Sequence, residues 1–179
     1  MFLLHHIDPT VKKLKAQIAN TLTLFNLSLG ALAIIFIIQD ELRLALVFIT
    51  VAALLDRLDG AAARKFNCTS EFGKQLDSLS DIISFGVAPA FLIYQASLYV
   101  FGYPGILLTI FFIICGAIRL ARFNVTTNNQ FFVGLPITAA GCVLTFQLFM
   151  VPYFHPAYFM FITLILSVMM ISSFKLRKV

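Results

Sequence analysis

Four aspartates stand close together in this chain, Asp56, Asp59, Asp77 and Asp81, and they are half of its 8 acidic residues. They fall in the stretch DRLDGAAARKFNCTSEFGKQLDSLSD, residues 56–81, which has long apolar runs on both sides. A helix turns by about 100° per residue, so Asp56, Asp59, Gly60 and Ala63 share one helix face. By the same rule Gly73, Asp77, Ser80, Asp81 and Ser84 share a face of a second helix. A mid-bilayer carboxylate costs roughly 2.5–3.5 kcal/mol, so four unpaired ones would cost on the order of 10 kcal/mol. A divalent cation between them removes that cost, and hard oxygen donors of this kind suit Mg²⁺ or Mn²⁺ bound near a phosphate. Gly60 and Gly73 leave room for a backbone or a ligand to come close. Arg64 can meet a phosphate with its fork of donors.

The elements that hold these residues must be membrane helices. Hydrophobic residues make up 60% of the 179 residues and charged residues only 12%, and the mean hydropathy is +0.96. These values lie well outside the soluble average. The expected fold is all-α, a polytopic membrane protein of one domain over residues 1–179. A short amphipathic, interfacial helix within 1–17 comes first, with Lys12, Lys13 and Lys15 also serving as topology anchors. Six spans follow, at 18–38, 42–63, 75–100, 104–123, 133–151 and 157–174, with a basic tail at 175–179. Residues 65–72 would turn spans two and three into an antiparallel hairpin that brings the two aspartate faces together. No cleavable signal is expected at Met1–His6.

Six spans put both termini on one side, and every Lys and Arg other than Arg43 lies on that side or towards it. The positive-inside rule makes it the cytoplasmic side and places the aspartates there. The net charge of +5 therefore reads as topology and contact with anionic lipid, not as nucleic-acid binding. Cys68, Cys115 and Cys142 show neither metal-type spacing nor reason for a disulfide. No histidine reaches the acidic cluster, since His5 and His6 precede the basic segment and His155 falls in an outer loop.

As a pattern the stretch reads D-x-x-D-G-x-x-A-R, eight residues, then G-x-x-x-D-x-x-x-D, filled by Asp56, Asp59, Gly60, Ala63, Arg64, Gly73, Asp77 and Asp81. Structural ion pairs, or the ion pathway of a cation transporter, would explain acidic residues but not eight positions at this spacing. The chain resembles the CDP-alcohol phosphotransferase family, whose signature is this pattern with this gap. The resemblance covers the whole chain and implies transfer of a phosphatidyl group from a CDP-linked lipid to an alcohol, with release of CMP. It implies a two-metal site in which Asp56, Asp59 and Asp77 are ligands and Asp81 contributes to the second metal. It also implies that Asp56, Gly60, Ala63, Arg64 and Gly73 contact the CDP moiety, and that the protein is a homodimer. Asp81 is the residue expected to take the proton from the attacking hydroxyl, as base, as metal ligand or as both.

Further strings, DSLSDIISFGVAPAF at 77–91, RLARFNV at 119–125, Gly134-Leu135-Pro136 and NTLTLFN at 20–26, resemble the integral-membrane branch that joins CDP-diacylglycerol and L-serine. On that reading Arg119 or Arg122 holds the serine carboxylate or a lipid phosphate, beside Asn124; the bland alternative is a pair of snorkelling anchors. Asn20 and Thr23 face the nucleotide or serve as polar glue between helices. Ser80 and Ser84 bond a ligand or their own helix carbonyls. The nearest rival is a sister transferase with inositol phosphate, glycerol 3-phosphate or choline as acceptor. An aspartate-rich membrane prenyltransferase would need a second acidic motif, and residues 82–179 contain no Asp or Glu.

Overall fold

The computed structural model describes residues 2–66, 71–125, 131–172 and 175–177, with side chains at 17, 20–57, 71–125 and 134–172. Cys68 falls outside them. The chain begins as one helix, α1 (Phe2–Ile38), of 37 residues. The expected separate N-terminal helix is therefore continuous with the first span, with no turn between them; the apolar part starts at Asn20. Asp40 closes α1 with φ 65°, a left-handed position that Asp tolerates. There Glu41 N–H bonds back to Phe36 O at 2.9 Å. Helix α2 (Leu42–Phe66) then carries Asp56 and Asp59 in its second half.

The third span is not one regular helix. It is α3 (Glu71–Asp81), a π-helical segment (Ile82–Val87), α4 (Ala88–Ala96) and a 3-10 turn (Leu98–Phe101). In the π segment Ala88 N–H bonds to Ile83 O, five residues back. Pro89 has no N–H to give to Phe85, so the turn before it is free to widen.

Helix α5 (Tyr103–Val125) is followed by α6 (Ile137–Phe146), a 3-10 turn (Gln147–Met150) and α7 (Pro156–Ile171). Helix α7 starts on Pro156 at its first position, with His155 Nδ1 accepting from Ala157 N–H at 3.3 Å. Two three-residue strands, β1 (Phe131–Val133) and β2 (Lys175–Arg177), pair antiparallel. An all-helical expectation left these out, because three residues are too few for strand periodicity to show. Gly134, at φ 76°, follows β1 where any side chain would meet the carbonyls of Met170 and Ser172.

Two apolar cores flank the third span. One joins Phe85, Phe112, Ile137, Leu144 and Phe159 from the π segment, α5, α6 and α7. The other joins Ala33 and Ile37 of α1, Ala45 and Ile49 of α2, and Ala88 and Leu92 of α4. Small residues at these contacts let helix backbones approach, the usual way of packing helices without water to drive them together. The outer surface is apolar, with Phe25, Ile38, Leu107 and Phe161 each more than half exposed. Among the described residues three helical stretches, Asn20–Ile38, Glu71–Ala96 and Tyr103–Val125, are long and apolar enough to cross a membrane. Ile137–Met150 and Pro156–Ile171 are shorter apolar helices.

Candidate metal and phosphate site

Helix α2 presents Asp56, and α3 presents Asp77 and Asp81 one turn apart. Each of the three offers a carboxylate oxygen, and these oxygens lie within 4.8 Å of one another. Asp56 of the first face deduced from spacing thus meets Asp77 and Asp81 of the second. All three residues are partly buried, and Asp81 Oδ1 is fully covered with no hydrogen-bond partner among the described residues. The side chains of Asp59, Ala63 and Arg64 and the surroundings of Gly60 lie outside the described residues; their backbone belongs to α2. Gly73 is half-buried in the first turn of α3.

Were all three carboxylates ionised they would repel strongly: at 4.8 Å and an effective dielectric near 20, each pair would oppose by roughly 3–4 kcal/mol. Two charges answer them. Exposed Arg57 stands near Asp56, and Arg119 of α5 interacts electrostatically with Asp81. Arg119 Nε is buried and without a hydrogen-bond partner among the described residues. Two oxygens on opposite sides of one Mg²⁺ are about 4.2 Å apart, so the all-oxygen set fits a hard divalent cation with at most a small contraction. The orphaned Asp81 oxygen points the same way.

The remaining residues singled out by sequence separate into different environments. Arg122, three residues from Arg119, donates from Nη1 to Ile171 O at 3.0 Å, at the end of α7. Asn124 donates from Nδ2 to Ser78 Oγ at 2.9 Å and to Gln75 Oε1 at 3.4 Å, and its carbonyl accepts from Lys74 Nζ at 3.1 Å. It fastens the end of α5 to the start of α3. Ser80 donates to Thr23 O at 3.2 Å and Ser84 to Asn26 O at 3.1 Å. Their hydroxyls thus engage neither their own helix nor an open pocket, a correction to both expectations, because α1 passes close enough to offer its carbonyls. Thr23 is buried and Asn20 half-buried on α1.

Sequence reasoning missed Asn26 and Gln147, each buried with both amide atoms unpartnered among the described residues. A single amide in an apolar run carries no signal of which way it faces. It also missed that Cys142 brings α6 within electrostatic range of Asp56 and Arg57. A cavity of about 330 Å³ lies at the other end of the bundle, between Ile37, Phe91, Tyr94, Ile106 and Ile110, away from the aspartates.

The model of the CDP-alcohol phosphatidyltransferase family matches residues 16–171. The chain belongs to the CDP-alcohol phosphatidyltransferase family. As a family member it is a multi-pass membrane protein, in keeping with its apolar helices. It is 40% identical over 173 residues to the archaetidylserine synthase of Methanothermobacter thermautotrophicus, which covers 94% of this chain and 73% of that protein. It is 37% identical over 155 residues to the CDP-diacylglycerol–serine O-phosphatidyltransferase of Bacillus subtilis, 86% of either chain. The Helicobacter pylori enzyme of the same name is 35% identical over 165 residues, 87% of this chain and 70% of its own.

Proposed function

We propose that this phosphatidyltransferase moves the phosphatidyl group of CDP-diacylglycerol to the hydroxyl of L-serine, giving phosphatidylserine and CMP. The observation that carries it is the convergence of Asp56, Asp77 and Asp81 opposite Arg119, in a chain whose relatives are named for serine as acceptor. Asp56, Asp59 and Asp77, with Asp81 at a second position, would hold Mg²⁺ or Mn²⁺. A metal held by these residues would supply positive charge for the diphosphate and the departing CMP.

The chain's own residues supply the rest. Asp81 accepts the proton of the serine hydroxyl as the new O–P bond forms and the bond to CMP breaks. Arg119 holds the serine carboxylate, or a phosphate of the donor, while Arg122 and Asn124 set the end of α5 that carries it. Gly60, Ala63, Arg64 and Gly73 line the CDP moiety, with Asn20 and Thr23 on the facing helix. The chain works as a single six-span domain with both termini and the site at the cytoplasmic face, as a homodimer in the cell membrane.

The test is CMP release by purified protein in detergent. The donors are CDP-diacylglycerol and its isoprenoid-ether counterpart; the acceptors are L-serine, glycerol 3-phosphate, inositol, inositol phosphate and choline. Serine-dependent, EDTA-sensitive release supports the reading. Release with another acceptor keeps the family chemistry and overturns serine. No release with any acceptor, from folded protein that moves divalent metal across a vesicle, would favour a cation transporter.

A further inference from the structure

Ser80 and Ser84 bracket Asp81 in sequence, and both are 0% exposed. Each donates its hydroxyl across to α1, to Thr23 O and Asn26 O, and those acceptors are themselves three residues apart. The two bonds therefore bind one face of α3 and the π segment to one line along α1. Gly30, a turn further along α1, packs on the same seam; a Cβ there would stand 2.5 Å from Ser84 Oγ and 2.9 Å from Ser84 Cα. The widened turn starts at Ile82, immediately after Asp81, so the regular α turns that carry Asp77 and Asp81 end there. On the α1 side this seam helps to hold them.

We propose that Ser80 and Ser84, seated on α1 by Gly30, are positioning residues that fix Asp77 and Asp81 against Asp56 so that the three carboxylates meet at cation-binding distance. The inference rests on the metal-dependent reading given above. The serines contact neither metal nor substrate. Their hydroxyls satisfy second lone pairs of helix carbonyls, which ties the rotation of α3 about its axis to α1. Without that tie, a modest rotation of α3 would draw the Asp77 and Asp81 oxygens away from Asp56 on α2.

The experiment measures Mn²⁺ binding by purified protein in detergent without lipid substrate, alongside the thermal midpoint in EDTA and steady-state kinetics. The variants are Ser80→Ala, Ser84→Ala, the double variant and Gly30→Ala. Ser167→Ala serves as control, because that buried hydroxyl bonds Thr163 O within α7. Supporting residues around a metal typically change its affinity 10- to 100-fold, so the double serine variant is expected to bind Mn²⁺ about 10-fold or more weakly. Its kcat falls while the KM for serine holds. Ser80→Thr, which keeps the hydroxyl, restores binding to near the wild-type value relative to Ser80→Ala. Unchanged Mn²⁺ affinity in both serine variants, with only a lowered midpoint as in Ser167→Ala, overturns the positioning role and leaves the function standing. A wild-type protein that binds no Mn²⁺ overturns the metal reading, and the positioning role with it. Gly30→Ala is expected to act in the same direction, and the serine variants carry the test if it does not fold.

Discussion

Arg119 on α5 lies within electrostatic range of Asp81 on α3, and the guanidinium Nε and the carboxylate Oδ1 are both buried and unbonded among the described residues. Such a pair leaves a donor and an acceptor open to a further partner. In water-poor surroundings an unused hydrogen-bonding atom is costly, and the proposed function gives the pair its missing partners in the carboxylate and hydroxyl of serine.

Arg119→Ala is accordingly expected to lower kcat/KM for serine by about 10- to 100-fold, since a hydrogen bond to a charged group is worth roughly 1.5–3 kcal/mol. Arg119→Lys should recover only part of this, because a point charge cannot reproduce the planar fork. Initial rates at varied serine and varied CDP-lipid separate the two assignments. A rise in the serine KM marks the carboxylate, and a rise in the lipid KM marks a phosphate. No change in either would return Arg119 to the role of a topology anchor.

Asp81→Asn removes the proton acceptor while keeping size and one carbonyl oxygen. A positioned base contributes roughly 10²–10⁴-fold, so kcat should fall by at least about 100-fold. Calorimetry with Mn²⁺ decides what else Asp81 does. Retained affinity with lost turnover assigns the base; parallel loss of both assigns a ligand.

Metal removal is expected to abolish turnover and to lower the thermal midpoint. Metal at about 100 times its dissociation constant adds roughly 2.7 kcal/mol to the folded state. A thermal melt in EDTA and with added Mn²⁺ reads this directly. Asp77→Asn should erase most of the difference between the two melts, because it removes one of the three clustered carboxylates. A Mn²⁺-dependent shift of full size in Asp77→Asn would exclude that residue as a ligand.

Asn124→Ala should behave as a structural change and not as loss of a substrate contact. It severs side-chain bonds to Ser78 and Gln75 between α5 and α3. Ser78 is half-buried and Gln75 exposed, so the cost is that of a typical hydrogen bond, about 0.5–1.5 kcal/mol. The expected result is a lower thermal midpoint with the serine KM unchanged. A selective rise in that KM would instead place Asn124 in the acceptor pocket.

Much of this was readable from the chain. Hydropathy located the apolar helices, and the i,i+4 spacing put Asp77 and Asp81 on one face; a carboxylate oxygen of each lies within 4.8 Å of one on Asp56, while the side chain of Asp59, its i,i+3 neighbour, lies outside the described residues. What spacing cannot supply is the partner on the far side of a face. Ser84 shares the side of Asp81 by periodicity, yet its bond goes to Asn26 O because α1 comes close at Gly30, a fact of packing between residues 54 positions apart. The π segment was hidden for a similar reason. Pro89 announces a missing donor, but whether the chain answers with a kink or a wider turn depends on what it packs against. Asn26 and Gln147 look like any isolated amide until their burial is known.

The widened turn at Ile82–Val87 has a consequence for insertions and deletions. A π turn spans one more residue than an α turn, so it takes up a phase mismatch between the two halves of the third span. The first half answers to the carboxylate of Asp56, and the second half, through Ala88 and Leu92, answers to an apolar seam with α1 and α2. Losing one residue at 85–87, past Ser84 and its bond to Asn26 O, would let the turn tighten to α geometry with both halves keeping their facing. The same loss between Asp77 and Asp81 would swing one carboxylate by about 100° relative to the other. The span can thus change its length by a residue just beyond the aspartates and the serine seam that positions them.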